Sequence, residues 1–415
     1  MKITTSDLAK ITEGQLSGAD DLIVNELLTD SRQFTFNEGL TFFAIKGFNH
    51  DGHFYIGQLY QRGVRIFVVE DLPQDAERFP GSAFIRVDDT VEALQMIASY
   101  KRKSFKGLVI AVTGSAGKTI VKEWLAGIMG LSSSVVRSPK SYNSQTGVPL
   151  SVWKLDDNFD AGIFEAGISM MGEMEKLRKV IEPGIGVITN IGDAHQENFP
   201  DQRTKAAEKL KLFINCSIIV YCSDHKIIDD LIINDKKLSS KRLVDWSFEK
   251  RNASIFAEKI ISEPDRTLVR ITFDNKISEL KIPFTDRASV ENAITAAAAC
   301  LAAGVKAEII GEGVEHLVSV AMRMEMKNGL NGSLLIEDFY NSDPGSLRMA
   351  LEHMKTQNQR KSTLILSDFV QSGREEKDLY REVAGLIKRT GIDKFIGIGN
   401  ALSRNHNLFS GSSRF

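Results

Sequence analysis

The sequence predicts an α/β fold in three domains. Short apolar runs alternate with amphipathic helical stretches along most of the chain. One run leads straight into a glycine-rich loop and a helix. A basic segment at 101–106 and a second break near 313 divide the pattern.

Residues 1–104 make the first block, with strand-like runs at 40–45, 64–69 and 83–87 and a helix at 91–100. The second block, 105–312, opens with a strand at 108–113. A helix follows at 119–130, with Ile120, Val121, Trp124, Leu125, Ile128 and Met129 on one face. Strands are expected at 161–165, 185–191 and 217–221, and a helix at 173–181 stopped by Pro183. Such alternation indicates crossover connections and a parallel sheet. Runs 267–273 and 277–282, joined by Asp274-Asn275-Lys276, read as an antiparallel hairpin, and an Ala-rich helix at 288–303 closes the block. In the third block, 313–415, strands at 333–337, 363–367 and 394–398 alternate with helices at 345–354 and 376–388.

Composition excludes several classes. The 415 residues carry 52 Lys+Arg against 54 Asp+Glu, a formal net charge of −2, so no global polyanion-binding surface is expected. No run approaches the roughly 18 apolar residues of a membrane helix. The opening MKITTSDLAKITEG lacks a signal peptide's apolar core. Cys216, Cys222 and Cys300 have no CxxC spacing, which argues against a disulfide scaffold or thiolate metal site. A reduced, cytoplasmic protein is expected, with no nucleic acid partner and no membrane insertion.

The segment LVIAVTGSAGKTIVKE carries the strongest chemical signal. Gly114 and Gly117 allow backbone N–H groups to approach phosphate oxygens, and the helix N-terminus adds unpaired N–H groups. Lys118 offers charge to the outer phosphates, and Thr119 a hydroxyl to Mg²⁺. Val112 stands where GxxxxGK[ST] would place its first glycine, so the motif is the shorter GxxGKT, with Ser115 and Ala116 between the glycines. Glu165 ends one strand and His195 follows another. With Thr119 they put three metal-compatible groups at strand ends, where open α/β sheets gather their sites. Mg²⁺ prefers oxygen, so a histidine ligand suggests a second ion or a water-mediated contact. By periodicity Lys205, Lys209 and Lys211 read as a solvated helix face.

Together TGSAGKT, Glu165, NIGDAH ending at His195, and the stretch from Asp338 to Pro344 resemble the Mur ligases, ATP-dependent amide-forming enzymes of cell-wall precursor synthesis. The resemblance covers essentially the whole chain. It is closest to the branch that adds D-Ala-D-Ala to UDP-N-acetylmuramoyl-tripeptide. The segments SYNSQTGVPLSVW, EAGISMMGEM and LSDFVQSGREEKDLY are similar to the form that some bacteria fuse to an alanine racemase. It implies a UDP-substrate-binding domain at 1–104, a central P-loop ATPase-like parallel-sheet domain at 105–312, and a Rossmann-like domain at 313–415, shorter than in relatives. It implies ATP and Mg²⁺ as cofactors and an acyl-phosphate intermediate. The catalytic set would be Lys118, Glu165, His195 and Lys209, with Lys209 carbamylated and, like Thr119, Glu165 and His195, a metal ligand. Asn292, Arg323, Asp338 and Asn341 would join the loop around the nucleotide. Ser31, Arg32, Lys46, Asp51, His53 and Asn143 would hold the UDP-substrate. A hinge at 318–327 would swing the third domain over the ATP site, and the chain would act as a monomer.

Four features depart from the family pattern. Lys211 replaces an acid, Ala288-Ser289 replaces His-Asn, Ile120 replaces a Thr or Ser, and the third domain is short. Rival readings are the tripeptide-forming ligase, whose DNPR-like stretch is replaced by Ser367-Asp368-Phe369-Val370, and folylpolyglutamate synthase. A nucleotide-binding module without ligase activity is the reading from a different class.

Overall fold

The structure, a computed structural model, describes residues 2–32, 37–47, 50–192, 196–263, 265–274, 276–320, 325–338, 344–356, 361–369, 374–409 and 413–414. The chain forms two compact units. One comprises residues 1–111, 133–168 and 173–184, the other 112–132, 169–172 and 185–415.

In the first unit, α1 (Thr5–Ile11) starts at a capping box, in which Thr4 and Asp7 each accept a backbone N–H of the other. Strands β1 (Gln15–Gly18), β2 (Glu26–Leu28) and β3 (Leu40–Phe43), helix α2 (Ile56–Gln61), and strands β4 (Ile66–Val69) and β5 (Ala83–Arg86) follow. The five strands make one sheet in the order β1-β5-β4-β3-β2. Strands β2 to β5 run parallel, and β1 is antiparallel to β5. A parallel sheet needs cover on both faces, which is why every residue of β3 and β4 is buried. Phe43, Val68 and Ile85 cluster with Leu8, Leu94 and Ile97, while Phe42, Phe67 and Phe84 cluster with Ile56 and Leu59.

Helix α3 (Thr90–Ser104) is longer than the sequence suggested. The basic segment read as a link supplies its last turn, where cations meet the negative end of the helix dipole. Arg102 is half-buried. Its Nε donates to Ile181 O at 2.7 Å and its Nη2 to Glu182 O at 2.7 Å.

Strand β6 (Leu108–Thr113) begins in the first unit and ends in the second. Helix α4 (Lys118–Gly130) lies in the second, and β7 (Val135–Arg137), α5 (Gly147–Val152), β8 (Ala161–Glu165) and α6 (Glu173–Ile181) lie in the first. Strands β6, β8 and β7 are neighbours in that order, and β7 and β8 are parallel. Helix α3 packs against α5 and α6. The compact units therefore do not coincide with the expected breaks near 104 and 312.

The second unit continues with β9 (Ile185–Ile188), α7 (Gln202–Leu210), β10 (Ile218–Cys222), α8 (Lys226–Asn234), α9 (Lys236–Ser239) and β11 (Arg242–Ser247). Strands β12 (Ile255–Ser262), β13 (Thr267–Phe273) and β14 (Lys276–Ile282) and helices α10 (Arg287–Ala302) and α11 (Ala307–Glu315) follow. Strands β9 to β12 run parallel, with the expected hairpin β13–β14 added antiparallel beyond β12. The end of β6 lies beside the end of β9, since Thr189 N donates to Thr113 O at 3.0 Å. Trp124 of α4 stacks on Phe284 with centroids 5.0 Å apart, and its indole N–H donates to Val318 O.

The chain then makes an antiparallel pair, β15 (Glu325–Asn328) and β16 (Leu334–Glu337), followed by α12 (Pro344–Thr356), β17 (Thr363–Ser367), α13 (Glu376–Thr390), β18 (Lys394–Ile398), α14 (Asn400–Arg404) and β19 (Ser413–Arg414). Strands β17, β18 and β19 form a parallel sheet. Its core joins Leu366 and Phe395 to Leu347, Leu379 and Val383 of α12 and α13. Among the described residues no helix is long and apolar enough to cross a membrane.

Candidate functional site

The glycine loop is held by the end of β9. Gly114 has φ +143°, and a Cβ there would stand 2.0 Å from Thr189 Oγ1. Gly117 is the N-cap of α4 at φ +77°, and a Cβ there would stand 2.4 Å from Asn292 Oδ1. Both positions need glycine for conformation and for space. Ser115 N donates to Asn190 O at 2.8 Å, Ala116 N to Asn190 Oδ1 at 3.0 Å, and Thr189 Oγ1 to Ala116 O at 2.6 Å. Ser115 Oγ donates to Gly192 O at 3.3 Å. Lys118 Nζ folds back to Ser115 O at 2.9 Å, and Thr119 is buried in the first turn of α4. The loop, Lys118, Thr119 and Asn292 are thus brought together on the positive end of a helix, the arrangement that suits a phosphate group.

Helix α7 corrects the expectation of a solvated lysine face. Lys205 is 1% exposed and Lys209 4%. Lys205 Nζ donates to Gly192 O and to Gln196 Oε1, which ties α7 to the residue that also meets Ser115. Glu208 is buried between them in sequence. One carboxylate oxygen accepts Gly172 N at 2.8 Å and the other accepts Lys211 Nζ at 2.6 Å. Lys211, one of the four departures from the family pattern, is therefore half of an ion pair. Periodicity marked these residues as one face, but a buried cation is tolerated only with partners, and those come from other segments.

In the first unit, Glu165 ends β8 and is 1% exposed. Asn143 Nδ2 donates to its Oε1 at 2.5 Å, and Ser138 Oγ accepts its backbone N–H. Asn143 O accepts Gly167 N, so Asn143 is braced on both sides of that strand end. Oxygen donors such as the Glu165 carboxylate and the Thr119 hydroxyl suit Mg²⁺ in kind.

The expected UDP-substrate residues other than Asn143 fall into two stretches of this unit, 31–32 and 46–53. Arg32 makes a two-pronged contact with Asp30, at 2.9 and 2.8 Å. Hydrogen bonds from the Arg32 side chain and backbone lower the Asp30 pKa to about 2. Ser31 is buried, and its carbonyl accepts Arg62 Nη1 at 3.3 Å. Farther along, Asp51 Oδ1 accepts both His53 N and Nδ1, while His53 Nε2 accepts Glu70 N at 3.0 Å. Those bonds place the proton on Nδ1. Lys46 pairs with Asp71 at 2.6 Å and Glu70 at 3.4 Å. Burial alone would raise the Asp51 pKa, but the hydrogen bonds from His53 outweigh it and the net shift is downward.

Asp338 follows β16 and is half-buried. His195, Arg323 and Asn341 lie outside the described residues, as do four positions of the expected hinge, 321–324. Thr189, Asn190 and Lys205 were not anticipated as parts of the site. The polar pair Thr189-Asn190 directly after an apolar strand was the available signal.

Residues 112–300 match the Mur ligase middle domain, and residues 24–102 match the Mur ligase family catalytic domain. The chain is 25% identical over 406 residues to UDP-N-acetylmuramoyl-tripeptide–D-alanyl-D-alanine ligase of Bacillus subtilis, covering 96% of this chain and 86% of that protein. It is 30% identical over 319 residues to the protein of the same name from Treponema pallidum, covering 75% and 67% respectively. A crystal structure of MurF from Acinetobacter baumannii superposes with a TM-score of 0.85 at 26% identity, covering 100% of this chain and 89% of that one.

Proposed function

The chain belongs to the Mur ligase family, and from that premise we propose that it is an ATP-dependent, ADP-forming ligase that joins D-Ala-D-Ala to UDP-N-acetylmuramoyl-tripeptide in peptidoglycan precursor synthesis. The observation that carries the reading is the braced loop ahead of Lys118 and Thr119, in a chain similar to ligases of that name over most of its length.

The chemistry follows from what amide formation requires. A carboxylate does not react with an amine, because its leaving group would be an oxide. An oxygen of the tripeptide carboxylate attacks the γ-phosphorus of ATP, the bond to the β–γ bridging oxygen breaks, and an acyl phosphate and ADP result. The D-Ala-D-Ala amine then attacks the acyl carbon, loses a proton, and phosphate leaves with the C–O bond pair. The first step brings two anions together, so it needs placed positive charge more than covalent help. Lys118 and the N–H groups at the start of α4 supply it. Thr119 and Glu165 would hold one Mg²⁺, and His195 with a carbamylated Lys209 a second, which when bound offset the charge of the phosphates.

The residue roles extend the same reading. Asn292, Arg323, Asp338 and Asn341 contact the nucleotide. Ser31, Arg32, Lys46, Asp51, His53 and Asn143 hold the UDP-substrate. We read residues 1–104, 105–312 and 313–415 as three domains, the last closing over the acyl phosphate to keep water away. The enzyme works as a cytoplasmic monomer, alone or fused to an alanine racemase. The test is phosphate release from ATP with UDP-N-acetylmuramoyl-tripeptide, with and without D-Ala-D-Ala. Release should require both substrates for sustained turnover and vanish in Lys118→Ala. Release that never depends on D-Ala-D-Ala would refute the assignment.

A further inference from the structure

Away from every residue assigned above, three helices of the first unit border an open cavity of about 660 Å³, well within the range of small-molecule sites. Helix α1 turns Asp7, Lys10 and Ile11 to it, α3 presents a stripe from Glu92 to Lys103, and α6 presents Lys176, Lys179 and Val180. The three- and four-residue spacings place each set on one face of its helix.

Four lysines, Lys10, Lys103, Lys176 and Lys179, surround the space. Among the described residues none of their ammonium groups has an ion-pair partner. Two acids, Asp7 and Glu92, share the lining; Asp7 accepts Thr4 N and Oγ1 at 3.0 and 2.9 Å, and these bonds, with the charge of Lys10, hold its pKa down, so four cations stand against two carboxylates. A chain of net charge −2 thus gathers an excess of cations around one concavity. Between them lies apolar surface from Ile11, Met96 and the ring of Tyr100, which is 44% exposed.

The walls are fixed in place. Ser99 Oγ of α3 donates to Lys179 O at 3.0 Å, and Arg102 donates to the carbonyls of Ile181 and Glu182. These bonds satisfy the last carbonyls of α6 and lock it to α3. Helix α1 is held by Leu8 and Ala9, which share a buried cluster with Leu94 and Ile97 of α3. A preformed cavity with cations around apolar surface recognises a molecule that is negative at one part and apolar at another.

We propose that this cavity binds a small amphipathic polyanion, a phosphate ester or polycarboxylate carrying a ring or short apolar body. Repulsion among the four ammonium groups is relieved when the anion enters, so binding is tighter at low salt.

The test uses the full chain at low ionic strength and calorimetric titration with three probes: 1-naphthyl phosphate, benzene-1,3,5-tricarboxylate and neutral 1-naphthol. Saturable binding of either anion, with no binding of naphthol, is the expected result. The stronger of the two anions identifies the source as phosphate ester or polycarboxylate. Lys103→Glu/Lys179→Glu should weaken that binding at least about tenfold, as two reversed charges close to the ligand require. Lys118→Ala should leave it intact, which separates this site from the glycine loop. A melting curve of the charge-reversed variant checks its fold, and Lys103→Gln/Lys179→Gln is the fallback, with the same direction expected. Absence of anion binding by the wild type, binding unchanged in the folded lysine variants, or loss in Lys118→Ala would each overturn the proposal.

Discussion

Replacing Gly114 with alanine tests whether the end of β9 sets the geometry of the phosphate loop. The new Cβ would stand 2.0 Å from Thr189 Oγ1 and 3.1 Å from Asn190 O, at φ +143°. Ordinary contact begins at 3.4 Å, so loop or strand end must retreat by about 1.4 Å, the difference between 3.4 and 2.0 Å. The backbone conformation adds about 1–3 kcal/mol of strain for any residue other than glycine. Thr189 and Asn190 also hold Ala116 and Ser115, so the retreat disturbs the loop they brace. A shift of that size in a positioning element costs on the order of 10²-fold in turnover. Thr189→Ala alone loses the 2.6 Å bond to Ala116 O, a cost of about 1 kcal/mol in stability. The double variant removes the atom that blocks the new Cβ, so its combined loss in kcat should fall short of the summed single effects by roughly 1 kcal/mol or more. Coupled ADP-release kinetics on wild type, both single variants and the double variant give the four corners of the cycle. Gly114→Ala with kcat within about threefold of wild type, or strict additivity in the double variant, would refute the steric argument.

Three other perturbations reach different parts of the molecule. Lys209→Ala should lose most activity and regain part of it with added short carboxylic acids, which supply the oxygen ligand that a carbamate would provide; full activity without rescue would remove the carbamate from the proposal. The Asp30 carboxyl should titrate by NMR at about 2 and move toward the ordinary 3.8 in Arg32→Ala. Because the folded pKa is the lower one, the stabilisation from this contact is present above 3.8 and disappears as pH falls toward 2. Arg102→Met should lower the stability of the first unit by about 2 kcal/mol, since charge-assisted bonds to the end of α6 are lost; a melting temperature equal to wild type would show that those carbonyls find other partners.

What was legible in the sequence was local. β6, β8, β17 and β18 match their expected bounds, and α4, α6, α10 and α13 match within two residues, because apolar periodicity and caps act over one or two turns. The loop from Gly114 to Thr119 was legible for the same reason. Its braces were not, since Thr189 and Ala116 lie 73 residues apart and nothing near either announces the contact. The same limit misread Lys205. A lysine three or four residues from other charges has the pattern of a wet helix face, and only the carbonyl of Gly192 and the side chain of Gln196 make its burial tolerable. The end of α3 failed in the opposite direction. A cluster of cations looks like a linker unless the carbonyls of Ile181 and Glu182 are known to face it.

Net charge is therefore the wrong quantity for asking whether this chain handles anions; the surroundings of each lysine decide. Lys122 is fully buried and paired with Glu123 at 2.8 Å. That pairing cancels its charge at the distance of any ligand. Lys205 and Lys209 are buried on the helix that Gly192 links to the loop, and Lys118 stands at the start of α4 beside Ser115 O. Burying an ammonium group costs several kcal/mol unless its bonds are met, so such placements persist where a charge has chemistry to serve. The lysines around the three-helix cavity are the converse case: exposed, without ion pairs among the described residues, and directed at one concavity. A total charge of −2 is compatible with both. Acids and bases balance over the whole chain, so what distinguishes one lysine from another is whether an acid stands beside it, as Glu208 does for Lys211 and Asp71 for Lys46.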